Sequence, residues 1–272
     1  MSGKTVLITG STDGVGRYVA ERLAERGARV IVHGRDRARG GAVVERIKRQ
    51  GGDACLLIAD LSSLVEVRAL AEAVKRETDG LDALVNNAGL GTSGTQHELS
   101  RDGYELRFAV NYLAGFLLSR LLLPTLESRP AARIVNVASA GQQPIDFADV
   151  MLTRGYSGAR AYRQSKLAQI IFTFDLAQEL AGRGVAVNCL HPATFMDTTM
   201  VRLSGVQPVS TVEQGGAAIL RLVEEPSFGG VSGLYFNGMR ESRADPQAYD
   251  PAARSKLRAL SFELAGLADP RT

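Results

Sequence analysis

Short β-branched and apolar runs alternate along the whole chain with longer stretches whose apolar residues recur at helical spacing. That alternation limits the fold more than any other feature. Strands are expected at Val6–Thr9, Arg29–His33, Ala54–Ala59, Ala83–Asn86, Arg133–Ala138, Val185–Leu190 and Gly233–Phe236. Helices are expected at Gly16–Arg26, Ala38–Gln50, Leu64–Glu77, Arg101–Leu126, Tyr162–Ala181, Val212–Glu224 and Pro251–Leu267. Several strands are apolar throughout, as required when helices cover both faces of a parallel sheet. Right-handed βαβ crossovers then give an α/β fold: a doubly wound parallel sheet of about seven strands flanked by helices.

Composition bounds the rest. The 272 residues suffice for one domain over 1–272 and leave no room for a separate substrate domain. A content of 45% hydrophobic and 22% charged residues excludes general disorder. The net charge of +3 predicts no affinity for nucleic acid or a membrane surface. Cys55 and Cys189 sit in apolar runs, so two buried free thiols and a reducing, cytoplasmic setting are expected. No Cys/His spacing suggests a metal. MSGKTVLITG shows no signal-peptide pattern. The longest apolar stretch, Tyr112–Leu123, carries Arg120 and stops at Pro124, which argues against a membrane span. Gly27, Gly51, Gly52, Gly80, Gly182 and Gly184 precede strands as helix stops. Segments 140–160 and 193–210 look least regular and follow strand C-termini, where open α/β sheets bind ligands.

The remaining glycines point to a nucleotide. Thr9-Gly10-Ser11-Thr12-Asp13-Gly14-Val15-Gly16 links the first strand to the first helix. Gly10 can turn sharply, Gly14 lets backbone approach a diphosphate, and Gly16 lets helix pack on strand. The helix N-terminus offers N–H groups and a positive dipole end. The second strand ends in His33-Gly34-Arg35-Asp36-Arg37. No carboxylate stands at the ribose position, and Arg35 could pair with a 2′-phosphate, with Arg17 and Arg37 adding charge. NADP(H) is therefore favoured, while Asp36 leaves room for NAD(H). Asp60, followed by Leu61, could accept from the adenine amino group or cap the next helix, a role Ser62 could equally fill. Asn86-Asn87-Ala88-Gly89 forms a narrow turn suited to line the adenosine ribose.

Tyr162 and Lys166 stand at i and i+4, on one helix face. Ser139 ends the fifth strand, and Asn111 lies in the helix after the fourth. In a doubly wound sheet these places converge beside the first glycine turn. Taken with TGSTDGVG, the NNAG turn and His191-Pro192, this set resembles the short-chain dehydrogenase/reductases over nearly the whole length. Within that family HGRD, the spacing from Ser139 to Tyr162, AYRQSKLAQ and the closing SGLYF…LRALSFELAGL segment are most similar to the retinol-dehydrogenase-like branch.

The resemblance implies a single Rossmann-type domain, an NADP(H)-dependent carbonyl/alcohol oxidoreductase and a soluble, homo-oligomeric protein lacking the N-terminal anchor of some relatives. It implies Tyr162 as general acid/base, Lys166 as its electrostatic partner and ribose ligand, and Ser139 on the substrate oxygen. Asn111 would bend its helix and hold a relay water. The cofactor set it implies is Gly10, Ser11, Thr12, Asp13, Gly14, Val15, Gly16, Arg35, Asp60, Leu61, Asn87, Ala88, Gly89, Tyr162, Lys166, Pro192 and Thr194. Two departures bear on the nicotinamide clamp. Ala193 replaces the family's Gly, and Thr194, Thr198 or Thr199 could supply its Thr. His191 reads as a structural residue before a turn.

Phe147, Met151, Leu152, Tyr156, Phe195, Met196, Met200 and Leu203 in the two irregular segments suit a bulky, largely apolar carbonyl or alcohol. The resemblance implies that the apolar faces of the two long helices, with Phe116, Leu117, Phe172 and Phe174, pair in a homodimer or tetramer; ordinary burial inside one subunit would account for the same residues. The same residues would also serve a biosynthetic cyclisation, dehydration or epimerisation. A non-enzymatic nucleotide sensor would not need the proton-handling set.

Overall fold

A computed structural model describes residues 1–94 and 96–271. The elements run β1 (Thr5–Ile8), α1 (Gly14–Glu25), β2 (Arg29–Gly34), α2 (Arg37–Arg49), β3 (Asp53–Ile58), α3 (Leu64–Glu77) and β4 (Ala83–Asn86). A π-helical turn, Phe108–Leu113, leads into α4 (Ala114–Glu127). Then come β5 (Ala132–Val137), α5 (Gly158–Glu179), β6 (Val185–His191), α6 (Thr199–Leu203), α7 (Val212–Glu224), β7 (Tyr235–Asn237), β8 (Arg240–Glu241) and α8 (Pro251–Ala265). The sheet order is β3-β2-β1-β4-β5-β6-β7-β8. Seven strands are parallel, and β8 adds a two-residue antiparallel edge that no sequence signal marks. The order reverses between β1 and β4, so a crevice opens outside their C-terminal ends.

Strand alternation sends neighbouring side chains to opposite faces. Leu7, Ile31 and Leu84 join one core with α3, α4, α5 and α8. Val6, Ile8, Val30, Val32 and Val85 join the other with α1, α2 and α7. Each such side chain, fully removed from water, contributes about 1.5–3 kcal/mol.

Two helix boundaries differ from the expectation. The helix expected from Arg101 starts only after Glu105, because Gly103 at φ +83° turns the chain and Leu99 bridges Glu105. The α5 helix begins four residues before Tyr162, capped by Ser157, whose hydroxyl accepts from Arg160 N. Phe108–Glu127 is long and apolar enough to cross a membrane by composition, yet 72% of its most apolar window is buried inside the fold. Cys189 is buried, Cys55 is half-buried, and both are free.

The helix α8 covers the face that the sequence offers to an oligomer. Phe116, Leu117, Phe172 and Phe174 are buried within the chain, with Phe262 of α8 edge-on to Phe116. The burial removes that argument for self-association.

An ionic cluster fastens the same helix. Arg258 donates to Asp175 at 2.8 Å, to Glu179 at 2.6 Å and to Asp269. Arg120 and Arg271 also reach this cluster. Burial alone would raise the Glu179 carboxyl, but hydrogen bonds and charge from Arg120 and Arg258 hold it below its ordinary value. Bonds from Arg258 hold Asp269 down as well. The stability these carboxylates supply is present above the unfolded carboxylate range of about 4 and is lost as pH falls through their lower folded values. Arg258→Met leaves buried carboxylates short of a partner. It is expected to lower unfolding free energy by about 3 kcal/mol in urea melts at pH 7. It should also flatten the loss of melting temperature below about pH 5. A variant as stable as the parent would show that the remaining arginines suffice.

Candidate active site

The glycine turn after β1 and the turn after β4 are built as one piece. Gly10 has φ +64°, and a Cβ there would lie 2.8 Å from Ala88 Cα. The Thr9 hydroxyl accepts from Asn87 N at 3.0 Å and Ala88 N at 3.1 Å. Asn87 Nδ2 donates back to Thr9 O and Gly10 O. A Cβ at Gly16 would collide with that Asn87 amide and with Gly10 O. Ser11 is fully buried; its hydroxyl donates to Ile8 O and accepts from His33 N.

His33 was read only as an absent carboxylate, and the structure gives it a function of its own. Its Nδ1 accepts from Gly10 N at 3.2 Å, and Nε2 lies 3.2 Å from Ala59 O. Burial depresses its pKa to about 4, so the imidazole is neutral and Nδ1 is available as an acceptor. The apolar strand around His33 was the available signal.

Asp13 caps α1, accepting from Gly14 N at 2.7 Å, and its other oxygen accepts from Thr199 Oγ1 at 2.7 Å. Val15 and Gly16 follow in the first turn, whose N–H groups have no intrahelical acceptor. Thr12 is half-buried and fills the space a side chain at Gly34 would need. Arg35 projects to solvent just after it, and its charge is felt at Asp60. The helix cap at α3 is Ser63, not Asp60 or Ser62. Asp60 accepts from Ser62 N and lies 3.6 Å from Arg101. Burial pushes its carboxyl up, but these partners outweigh it and hold it low. Leu61 is buried. Arg17 pairs with Glu21, and Asp36 caps α2. The cradle of close backbone around Gly10 and Gly16, set at a helix N-terminus, fits a dinucleotide diphosphate.

Asn111 lies inside the π turn, the local bend the sequence reading anticipated. Its Oδ1 accepts from Leu90 N at 2.6 Å, and Nδ2 donates to Leu90 O and Ser165 Oγ. Both amide hydrogens are therefore used, and one Oδ1 lone pair is left for a relay water. A Cβ at Gly89 would sit 3.3 Å from this Oδ1 and 3.5 Å from Lys166 Nζ, so the two groups converge there.

Ser139 follows β5. Its hydroxyl accepts from Gly141 N at 3.0 Å, while its carbonyl accepts from Gln142 Nε2 and the Tyr235 hydroxyl. Burial raises the Tyr162 phenol above its ordinary value, and a hydrogen bond with Ser139 partly offsets that. Lys166 Nζ lies 5.8 Å from the Tyr162 ring centre and donates to Val137 O at 2.8 Å and Gln169 Oε1 at 2.9 Å. Burial lowers its pKa to about 7. The four residues singled out by motif thus meet around one point beside the glycine turn.

The clamp region after β6 is distributed differently from any one expectation. Thr194 Oγ1 is 3.1 Å from His191 Nε2, Thr198 caps α6, and Thr199 reaches Asp13. Pro192 is buried and Ala193 half-buried. Burial, then the Lys166 charge, lowers the His191 pKa, in keeping with a neutral structural residue.

The two covering segments also divide. Phe147 and Met151 pack against the core, and Leu152 is buried in it. Phe195 and Met200 remain exposed, and Met200 lies over Gly91. Tyr156 is held by its hydroxyl, 2.6 Å from Arg107 Nη1 and 3.2 Å from Glu105 Oε1. Arg107 also donates to Gly91 O and Ser93 O. The knot ties Tyr156 to the segment around Gly91 and Ser93. Arg107 and Glu105 carry no sequence signal of this knot, because they fall inside the helix expected over Arg101–Leu126.

The family model for short chain dehydrogenase matches residues 4–207. Retinol dehydrogenase 14 of Homo sapiens is 36% identical over 297 aligned residues, covering 98% of this chain and 88% of the relative. Among solved structures, an uncharacterized protein from Mycobacterium Paratuberculosis superposes with a TM-score of 0.81 at 29% identity, covering 99% of this chain and 96% of that one. A short chain dehydrogenase from Burkholderia cenocepacia J2315, crystallised with NADP, gives 0.72 at 29% identity, covering 87% of this chain and 96% of that one. The match extends from the first strand through the second covering segment and joins the residues that meet around Tyr162, so the chain belongs to the short chain dehydrogenase family, as an oxidoreductase of its retinol-dehydrogenase-like branch.

Proposed function

We propose that the protein is an NADP(H)-dependent oxidoreductase interconverting a carbonyl and an alcohol on a bulky, largely apolar substrate. The observation that carries this reading is the pairing of the half-buried Tyr162 with Ser139, with the Lys166 ammonium on the same helix face. The nicotinamide supplies or accepts the hydride when bound. Ser139 holds the substrate oxygen as charge develops on it. Tyr162 gives that oxygen a proton in reduction and takes it back in oxidation. A free phenol has a pKa near 10, so a neighbouring cation is needed to make the phenolate accessible near neutrality. Lys166 supplies that charge. Two of its three N–H groups are committed to Val137 O and Gln169 Oε1, which leaves the third for a ribose hydroxyl. The glycine turn would hold the diphosphate.

Arg35, exposed beside Thr12, supports NADP(H) over NAD(H), as does the NADP found in the Burkholderia relative. Exposed Phe195 and Met200 near Gly91 support an apolar substrate, in line with the retinol named for the human relative. Two unpaired cysteines support a reducing compartment such as the cytoplasm.

Tyr162→Phe removes the transferable proton while keeping the ring. With NADPH and a panel of lipophilic ketones and aldehydes, its kcat is expected to fall by about a hundredfold or more, with NADPH affinity kept. Equal turnover by the variant and the parent would sink the acid/base assignment. Product formed without net NADPH consumption would point instead to a cyclisation, dehydration or epimerisation. Arg35→Glu is expected to raise the dissociation constant for NADPH by about tenfold or more and to leave NADH nearly unchanged. Fluorescence titration reads both, and equal losses would remove the 2′-phosphate contact.

A further inference from the structure

Lys166 is a buried cation on a helix that packs into the core. Burying an ammonium is costly unless acceptors replace its water. Among the described residues no carboxylate bonds to it; it donates to one backbone carbonyl, Val137 O, and one side chain, Gln169 Oε1. Gln169 lies three residues along the same helix and is 3% exposed. A long polar side chain buried there loses rotamer freedom, so its bond to Lys166 has to offset that cost.

Gln169 is itself tied into a buried polar chain. Its backbone carbonyl accepts from Thr173 Oγ1 at 2.8 Å, and that hydroxyl accepts from Asn136 Nδ2 at 2.8 Å. Asn136 Oδ1 accepts from Asn86 Nδ2 at 2.8 Å, which also donates to Ser119. The chain joins α5 through β5 and β4 to α4 and pins the Gln169 backbone, from which the side chain reaches Lys166.

We propose that Gln169 is a positioning residue, whose amide oxygen fixes the Lys166 ammonium behind Tyr162 and keeps it charged. The catalytic consequence rests on the oxidoreductase reading; the effect on Lys166 does not. The other groups facing the ammonium are Tyr162 from the same helix, Asn111 from the π turn, and His191 from β6, with Tyr235 of β7 behind Ser139. His191 is neutral near pH 7, because burial and the Lys166 charge lower it, and Asn111 is uncharged. Burial alone brings Lys166 to about 7, so near neutrality its charge is poised to respond to the loss of one acceptor.

The test uses the full chain with lysine side chains labelled at the ζ-nitrogen. The sequence has five lysines, and Lys166→Arg identifies the relevant signal. Gln169→Leu is expected to raise the acid dissociation constant of Lys166 about tenfold, and Gln169→Glu to lower it by a similar factor. In alcohol oxidation the acidic limb of the pH profile should then move to higher pH in the Leu variant. Its kcat should fall about tenfold with KM nearly constant, while Gln169→Glu keeps kcat within a few-fold. An unchanged Lys166 titration in Gln169→Leu overturns the proposal. If that variant does not fold, Gln169→Glu decides alone, since it keeps the side-chain shape: a titration equal to the parent's overturns the proposal and a lowered dissociation constant supports it. Absence of turnover in the parent would overturn the functional reading and leave the titration to judge Gln169.

Discussion

The contact between the turns after β1 and β4 is the constraint on which the site depends. Gly10 lies against Ala88, and Thr9 and Asn87 exchange hydrogen bonds across the gap. Any side chain at Gly10 or Gly16 would separate the turns. Their closeness sets the first turn of α1 beside Gly89, and Gly89 in turn lies within reach of Asn111 and Lys166. The glycine turn and the Asn111–Lys166 pair are therefore not two places joined by loops. They share the switch point of one sheet, and a shift in either turn would be felt in both.

Electrostatics adds a second requirement. In the proposed mechanism a phenol must give up its proton and needs a cation nearby, and in this fold that cation is buried. The interior strengthens the attraction between the two groups, yet the same burial discourages the ammonium from staying charged. Neutral acceptors resolve the conflict. Val137 O is held by the sheet, and Gln169 Oε1 belongs to a buried side chain three residues along the same helix. His33 solves a related problem at the glycine turn, where burial keeps the ring neutral and so able to accept from Gly10 N.

Much of this was legible in the residues. The seven parallel strands follow from apolar runs and their spacing, and the glycine turn, Asn111, Ser139, Tyr162 and Lys166 follow from motif and place. Periodicity failed between Arg101 and Phe108, where the apolar pattern continues but Gly103 and the Leu99–Glu105 bridge delay the helix. It also left Phe116 and Phe172 open, because an apolar stripe looks the same whether another subunit or a helix of the same chain covers it; here α8 covers it. Tyr156 carried no sign in the sequence that Arg107 and Glu105, some fifty positions away, would hold its hydroxyl.

The sequence by itself determined the order of elements, the place of the glycine turn and the four residues that meet beside it, because those rest on local periodicity and on residue chemistry at fixed spacing. Tertiary structure alone decided which polar atoms meet. It placed Gln169 on Lys166, His33 on Gly10, Thr199 on Asp13, and α8 over the α4–α5 face. Those pairings depend on how separate elements pack, and hydrogen-bond energy is set by ångström distances that no linear pattern encodes.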